Sequence, residues 1–304
     1  MAHTLSRTQP SQLPQGGAWR MALAMTLSGT IGLLVIASGQ SAWSVVWFRC
    51  LIGAAALLIW LSMQRGWKPM NRRAVAWLLV GAVALIVNWL FLFTSYRLSG
   101  IAISTVVYHV QPFFLILLAA MVQGEAPQWQ KMPWLVLALL GVALTTGLQW
   151  GGPMQADMLQ GVAMALAAAL LYAVATLATR KLSGIAPAQI AGLQLLLGVG
   201  LLAPWANFSI SSFTPTAWAS LLTLGLVHTG LMYNLMYAAF QRLSAQRIAA
   251  LSFIYPLVAI AVDLLVFRLV LQGTQVLGMG LILLAIVAHQ RDWVFPWPRA
   301  KAAA

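Results

Sequence analysis

Residues 99–125 read SGIAISTVVYHVQPFFLILLAAMVQGE. The run is long and apolar enough to cross a bilayer, yet Pro112 stands near its middle, with Tyr108, His109 and Gln111 just before it. Hydrocarbon offers polar groups no hydrogen-bond partner, and a proline removes an amide donor from the helical ladder. A kinked span with polar side chains at mid-depth is a place where something other than lipid is handled. The pattern returns over residues 244–268, with Ser252, Tyr255 and Pro256 at its middle.

The composition around this stretch leaves one class of protein. Of 304 residues 62% are hydrophobic and 7% charged, against roughly 25% charged in soluble domains. Mean hydropathy is +0.88. The chain is an all-α polytopic membrane protein, and its fourteen tryptophans suit the two water–lipid boundaries. A net charge of +13 in a soluble chain would suggest nucleic acid. Here the basic residues fall in short connections, so membrane topology explains them and no nucleic-acid partner is expected. The single Cys50 excludes an internal disulfide framework.

Ten helices are expected, at about 20–38, 42–63, 73–95, 101–122, 132–148, 158–179, 187–205, 216–238, 246–267 and 273–290, and they are numbered spans 1 to 10 below. Breaks carry turn residues at Ser38-Gly39, Gln64-Arg65-Gly66, Ser99-Gly100, Gly151-Gly152-Pro153 and Ser211 to Pro215. Residues 20–38 are read as a span that stays rather than a cleaved leader. With this count Arg65, Lys68, Arg72, Arg73, Lys131, Arg180, Lys181, Arg242, Arg247 and Arg291 share the side of the N-terminus. Only Arg97 and Arg268 fall opposite, and Arg49 lies inside span 2. That asymmetry predicts both termini in the cytoplasm.

The second half echoes the first. Arg97-Leu98-Ser99 returns as Arg242-Leu243-Ser244, Pro112 as Pro256 and Asn88 as Asn234, with offsets agreeing to within two residues. Five spans separate the copies, so matching residues approach the membrane from opposite sides. The expectation is two inverted five-helix repeats, residues 20–150 and 151–290, around a central cavity, flanked by an unstructured tail over 1–19 and a short tail over 291–304.

Trp47-Phe48-Arg49 and the run to Leu58 resemble the arginine-centred motif of the drug/metabolite transporter superfamily, in its EamA-type ten-helix branch. Phe91, Tyr96, Ala102, Pro112 and Gly124-Glu125 resemble the branch's helix 3–4 motif, and Gly161, Tyr172, Arg180 and Lys181 the opening helix of its second repeat. The second half has Phe267-Arg268 where Gly-Glu would be expected, so a charge role shared by both copies is not implied. The chain is most similar to aromatic amino acid exporters of bacterial inner membranes. The resemblance implies export of amino acids or amphiphilic metabolites from a multi-pass protein of that membrane.

Polar stripes supply the candidate site. Span 4 offers Tyr108, His109 and Gln111, span 8 offers Tyr233, Asn234 and Tyr237, and span 9 offers Ser252 and Tyr255. Thr30, Asn88 and Tyr172 add one group each from spans 1, 3 and 6. Such stripes converge most economically on one cavity, although Ser, Thr and Asn also join helices directly, at about 0.6 kcal/mol per bond. A zwitterion needs donors, acceptors and an aromatic wall, and these side chains supply them without a full charge. Pro112 and Pro256 are candidate hinges. Arg49, about 10 Å below the far surface, either holds a substrate carboxylate or caps carbonyls and snorkels outward. Asp263 either pairs with Arg268 at the interface or relays protons, and His109 is either titratable or simply hydrogen-bonded.

With so few acids in the spans, facilitated alternating access is expected rather than strong proton coupling, the alternative being a proton-coupled drug/metabolite antiporter. A nucleotide-sugar-type carrier would want several cations in the spans, where only Arg49 stands. An intramembrane enzyme would want clustered metal ligands or a catalytic pair. No HExxH or paired-aspartate spacing occurs, and Ser104 and His109 sit five apart, pointing away from each other on one helix. A channel or passive scaffold fits the repeat and the mid-span prolines poorly. No cofactor or metal is expected, and the partners are a small-molecule substrate and the bilayer. A monomer suffices.

Overall fold

The computed structural model describes residues 16–145, 156–206, 213–266 and 272–294. Among them every regular element is helical: α1 (Gly17–Gly29), α2 (Ile31–Ser38), α3 (Ala42–Met63), α4 (Arg72–Tyr108), α5 (Gln111–Gln123), α6 (Met132–Thr145), α7 (Ala156–Lys181), α8 (Pro187–Leu202), α9 (Pro215–Gly225), α10 (Met232–Phe240), α11 (Ala245–Ser252), α12 (Ile254–Val266) and α13 (Gly273–Gln290). Nine stretches of these are long and apolar enough to cross a membrane, and Trp129–Leu144 is a shorter apolar helix. They fall where the ten spans are expected. Starts are fixed locally: the side chains of Ser41, Asn71, Thr214 and Ser244 each accept the amide three residues on, satisfying a donor that the first turn leaves open.

Span contacts come in matched pairs. Spans 1 and 8 pack (α1 on α10, α2 on α9), and so do spans 6 and 3 (α7 on α4). Spans 1 and 9 are matched by 6 and 4, and spans 2 and 8 by 7 and 3. The pairs 2–7, 4–9 and 5–10 map onto themselves. Exchanging each span with the one five later thus preserves the packing, consistent with two repeats.

The structure differs from the sequence expectations in several places. Helical hydrogen bonding continues through Ser99-Gly100, so α4 runs from Arg72 to Tyr108, but it is not one straight rod. Asn88 Nδ2 lies 3.3 Å from Tyr108 Oη. A straight helix would hold residues so spaced about 30 Å apart, so the chain doubles back between them. Span 4 breaks at His109–Val110 and span 9 at Phe253, ahead of Pro112 and Pro256 respectively. The last helical residue before each break, Tyr108 or Ser252, is four before the proline, where the ring collides with a helical carbonyl. The stripes drawn through Tyr108–Gln111 and Ser252–Tyr255 therefore cross breaks. Span 1 is interrupted at Thr30, and span 8 holds a π-helical turn at Leu226–Leu231. α1 begins at Gly17, so 17–19 are not part of a tail, and residues 1–15 lie outside the described part. Also outside it are Gly151-Gly152-Pro153, Ser211, Arg268 and the side chain of Asp263, and with them the expected Asp263–Arg268 pair.

Glycine marks the closest helix approaches. A Cβ on Gly141 would sit 2.7 Å from the carbonyl oxygen of Gly278, and one on Gly225 would sit 2.4 Å from Ile52 Cβ. Gly192 and Gly198 admit Leu58 and Cys50 in the same way, whereas Gly200 and Gly280 face open space and serve no such approach.

Candidate functional site

Spans 1, 2, 3 and 8 meet around Arg49. Its side chain is buried, 2% exposed, and does not snorkel. Arg49 Nε donates to Thr229 Oγ1 at 3.1 Å, and Nη2 reaches the His228 carbonyl at 3.5 Å. The guanidinium lies 4.8 Å from the centre of the Trp89 ring. The π-helical turn aims Thr229 and His228 here: Thr229 Oγ1 donates to Leu224 O, five residues back, at 2.7 Å. His228 Nε2 then meets Thr30 Oγ1 at 2.7 Å, linking span 8 to the break in span 1. No carboxylate lies against Arg49 among the described side chains: Glu125 pairs with Arg180, Asp292 with Lys131, and Asp157 is exposed at the start of α7. A buried cation without a counter-ion costs several kcal/mol.

A second focus adjoins through the aromatic rings. Trp89 meets Tyr233 edge-on at 5.7 Å, and Tyr233 meets Tyr237 at 5.5 Å. Tyr237 Oη donates to Gln194 Oε1 at 2.5 Å. Asn88, fully buried beside Trp89, directs Nδ2 to Ala168 O at 2.7 Å and to Tyr108 Oη, which leaves its Oδ1 without a partner. Gln111 Oε1 is buried and unpartnered too. Tyr108 packs edge-on against Tyr172 at 6.0 Å, and Tyr172 Oη reaches Met236 Sδ at 3.4 Å. At the break in span 4 the His109 ring stacks on Tyr255 at 5.5 Å, with Nδ1 2.6 Å from Thr105 O. The result is an aromatic-walled centre that holds a buried cation and, on Asn88 next to Trp89, an open acceptor.

Of the residues singled out from sequence, Thr30, Arg49, Asn88, Tyr108, His109, Tyr172, Tyr233, Tyr237 and Tyr255 join this network, and Gln111 lies buried at the broken end of span 4. Ser252 spends its hydroxyl on Ala249 O at 2.7 Å, and Asn234 is half-buried. Trp89, Thr229 and Gln194 were not singled out. A glutamine inside an apolar span is signal enough to find Gln194. Thr229 is brought to Arg49 by the π turn, which no spacing rule for a regular helix reports.

The model of the EamA-like transporter family matches the chain twice, over residues 13–147 and 159–288. An uncharacterized transporter of Bacillus subtilis, YxxF, is 29% identical over 247 residues, covering 80% of this chain and 79% of its own. A probable amino-acid metabolite efflux pump of Salmonella typhimurium is 29% identical over 207 residues, 64% of this chain and 69% of its own. The pseudopaline exporter CntI of Pseudomonas aeruginosa is 28% identical over 195 residues, 60% and 63% respectively. One crystal structure matches with a TM-score of 0.80 at 17% identity, covering 90% of this chain and 98% of its own, and so shares the fold. Two matches to one family model spanning nearly the whole bundle leave no other assignment: the chain belongs to the EamA-like transporter family.

Proposed function

We propose that the protein exports amino acids, aromatic and other neutral ones foremost, or similar small amphiphilic metabolites across the bacterial inner membrane by alternating access. The observation that carries this reading is the guanidinium of Arg49, with no carboxylate against it among the described side chains, in an aromatic centre that also holds the open acceptor Asn88 Oδ1, while the buried Gln111 Oε1 stands open at the broken end of span 4. A carboxylate supplies the missing counter-ion, an ammonium group the missing donor, and an apolar side chain packs on Trp89, Tyr108 and Tyr172. Two relatives, a probable amino-acid metabolite efflux pump and a pseudopaline exporter, support the substrate class and direction. The exchangeable packing and the double family match support two inverted repeats, residues 20–150 and 151–290, with hinges at Pro112 and Pro256. The basic face carrying the start of α1 is read as cytoplasmic, and transport as facilitated without strong proton coupling.

Counterflow in proteoliposomes tests it, with labelled phenylalanine outside and unlabelled amino acids inside, with and without a pH gradient. Accumulation without the gradient supports the proposal. Accumulation only with the gradient brings forward Asp263 and His109 as proton carriers. None for any amino acid overturns the substrate class.

A further inference from the structure

At the face carrying the start of α1, side-chain amides bridge the two halves. Gln189, near the start of α8, takes hold of the backbone of Lys68 in the loop between spans 2 and 3. Its Nε2 donates to Lys68 O at 2.8 Å, and its Oε1 accepts from Lys68 N at 3.0 Å. Gln246, near the start of α11, holds Gln128 in the loop between spans 4 and 5 in the same way, at 3.0 and 3.1 Å. Both glutamines are buried, 2% and 5% exposed. Between them Glu125 accepts from Arg180 Nη2 at 2.6 Å and from Ala245 N at 2.9 Å. Every one of these bonds joins a residue before 132 to one after 179.

The clasps cannot be reproduced on the opposite face. Moving Gln189 and Gln246 back by the offset of the repeat lands near Ser44 and Ile101, and no glutamine stands within two residues of either. If the halves exchange roles when the carrier turns over, the state open toward the opposite face keeps both clasps, and the state open toward the α1 face loses them with nothing equivalent gained. We propose that Gln189 and Gln246 are the gate of the α1 face and bias the resting carrier toward closure there. This rests on the alternating-access reading above and goes beyond it by naming the gate and the favoured state.

The test is thiol labelling in a Cys50→Ala background with Asn234→Cys as reporter, using a charged, membrane-impermeant methanethiosulfonate on vesicles of each orientation. Mass spectrometry reads the peptide containing position 234. Replacing both glutamines by leucine is expected to speed labelling from the α1 face roughly tenfold and to slow it from the other face. A folded double variant with unchanged rates overturns the proposal. A second arm uses Gln128→Cys with Gln246→Cys, closed by a short reducible cross-linker. Labelling from the α1 face is expected to be slow when linked and fast after reduction, and equal rates in the two forms overturn the gate whether or not the leucine variant folds. Neither arm needs a substrate, so an error in the substrate class leaves both readable.

Discussion

Arg49→Met separates an arginine kept for transport from one kept for packing. The interactions lost are a charged hydrogen bond to Thr229, a marginal one to the His228 carbonyl and the contact with the Trp89 face. The bond to Thr229 contributes about 1.5–3 kcal/mol and the desolvated cation–π contact about 2 kcal/mol. Against these stands the desolvation of an ion that has no carboxylate against it among the described side chains, several kcal/mol, which methionine removes. Thr229 is not orphaned by the change, because its hydroxyl still donates to Leu224 O. The terms nearly cancel, so the variant is expected to melt within roughly 5 °C of the parent in detergent. Transport of carboxylate-bearing substrates should fall at least about tenfold, the loss of one charged hydrogen bond to the ligand. Phenylalaninamide, which lacks the carboxylate, should be affected much less in the same counterflow assay. A melting point lowered by far more, with both substrates failing in parallel, would refute the reasoning, and so would unimpaired phenylalanine counterflow.

Other perturbations follow from the same geometry. Gly141→Ala and Gly225→Ala drive a methyl into a backbone carbonyl or a β-carbon, and each should cost about 1–3 kcal/mol. Gly200→Ala meets open space and should be neutral or stabilising by about 0.5–1 kcal/mol, so thermal melts of the three should separate cleanly. Replacing Pro112 and Pro256 by alanine lets α4 join α5 and α11 join α12. Transport should slow more than folded yield drops, and equal loss of both would show that the prolines serve folding alone. The hydrogen bond from Lys131 holds the Asp292 carboxyl below its ordinary value. A depressed carboxyl contributes stability above its unfolded value, near 4, and loses it as pH falls through the lower folded value. Melting temperature should therefore show no Asp292→Asn difference that varies between pH 5 and 8, and the pair, whose carboxylate is exposed to solvent screening, should contribute under about 1 kcal/mol.

The spans were legible because hydrocarbon admits few backbone solutions, and a run such as residues 42–63 has no other stable form. Their number followed from where the arginines and lysines could not go. Less legible was how each span is interrupted. Pro112 and Pro256 announce a disturbance, and the clash with the carbonyl four residues back places it at Tyr108 and Ser252 rather than at the proline itself. The π turn at Leu226–Leu231 has no such marker, and Gly225, whose bare Cα lets Ile52 in close, is its nearest trace. The glutamine clasps were missed because they pair a side chain with loop backbone more than a hundred residues away, a contact with no local period.

The interruptions also explain why the site is where it is. Non-helical or over-wide backbone at membrane depth leaves amides and carbonyls that lipid cannot satisfy, so it persists only where protein or a polar cavity receives it. The interruptions fall at Thr30, at His109–Val110, at Leu226–Leu231 and at Phe253. Thr30 touches His228, the π turn supplies Thr229 to Arg49, and His109 reaches across to Tyr255 just past the Phe253 break. All of them border one network, although they come from spans 1, 4, 8 and 9. Asn88 and Arg49 sit on regular helix and were visible as polar residues in apolar runs. Tyr172, Gln194, Tyr233 and Tyr237 also sit on regular helix, whereas Thr30, His109, His228 and Thr229 lie at the irregular turns themselves. In this fold the irregular turns mark the candidate site as directly as the polar residues do, and a search for carbonyls four residues before a mid-span proline finds half of them from sequence alone.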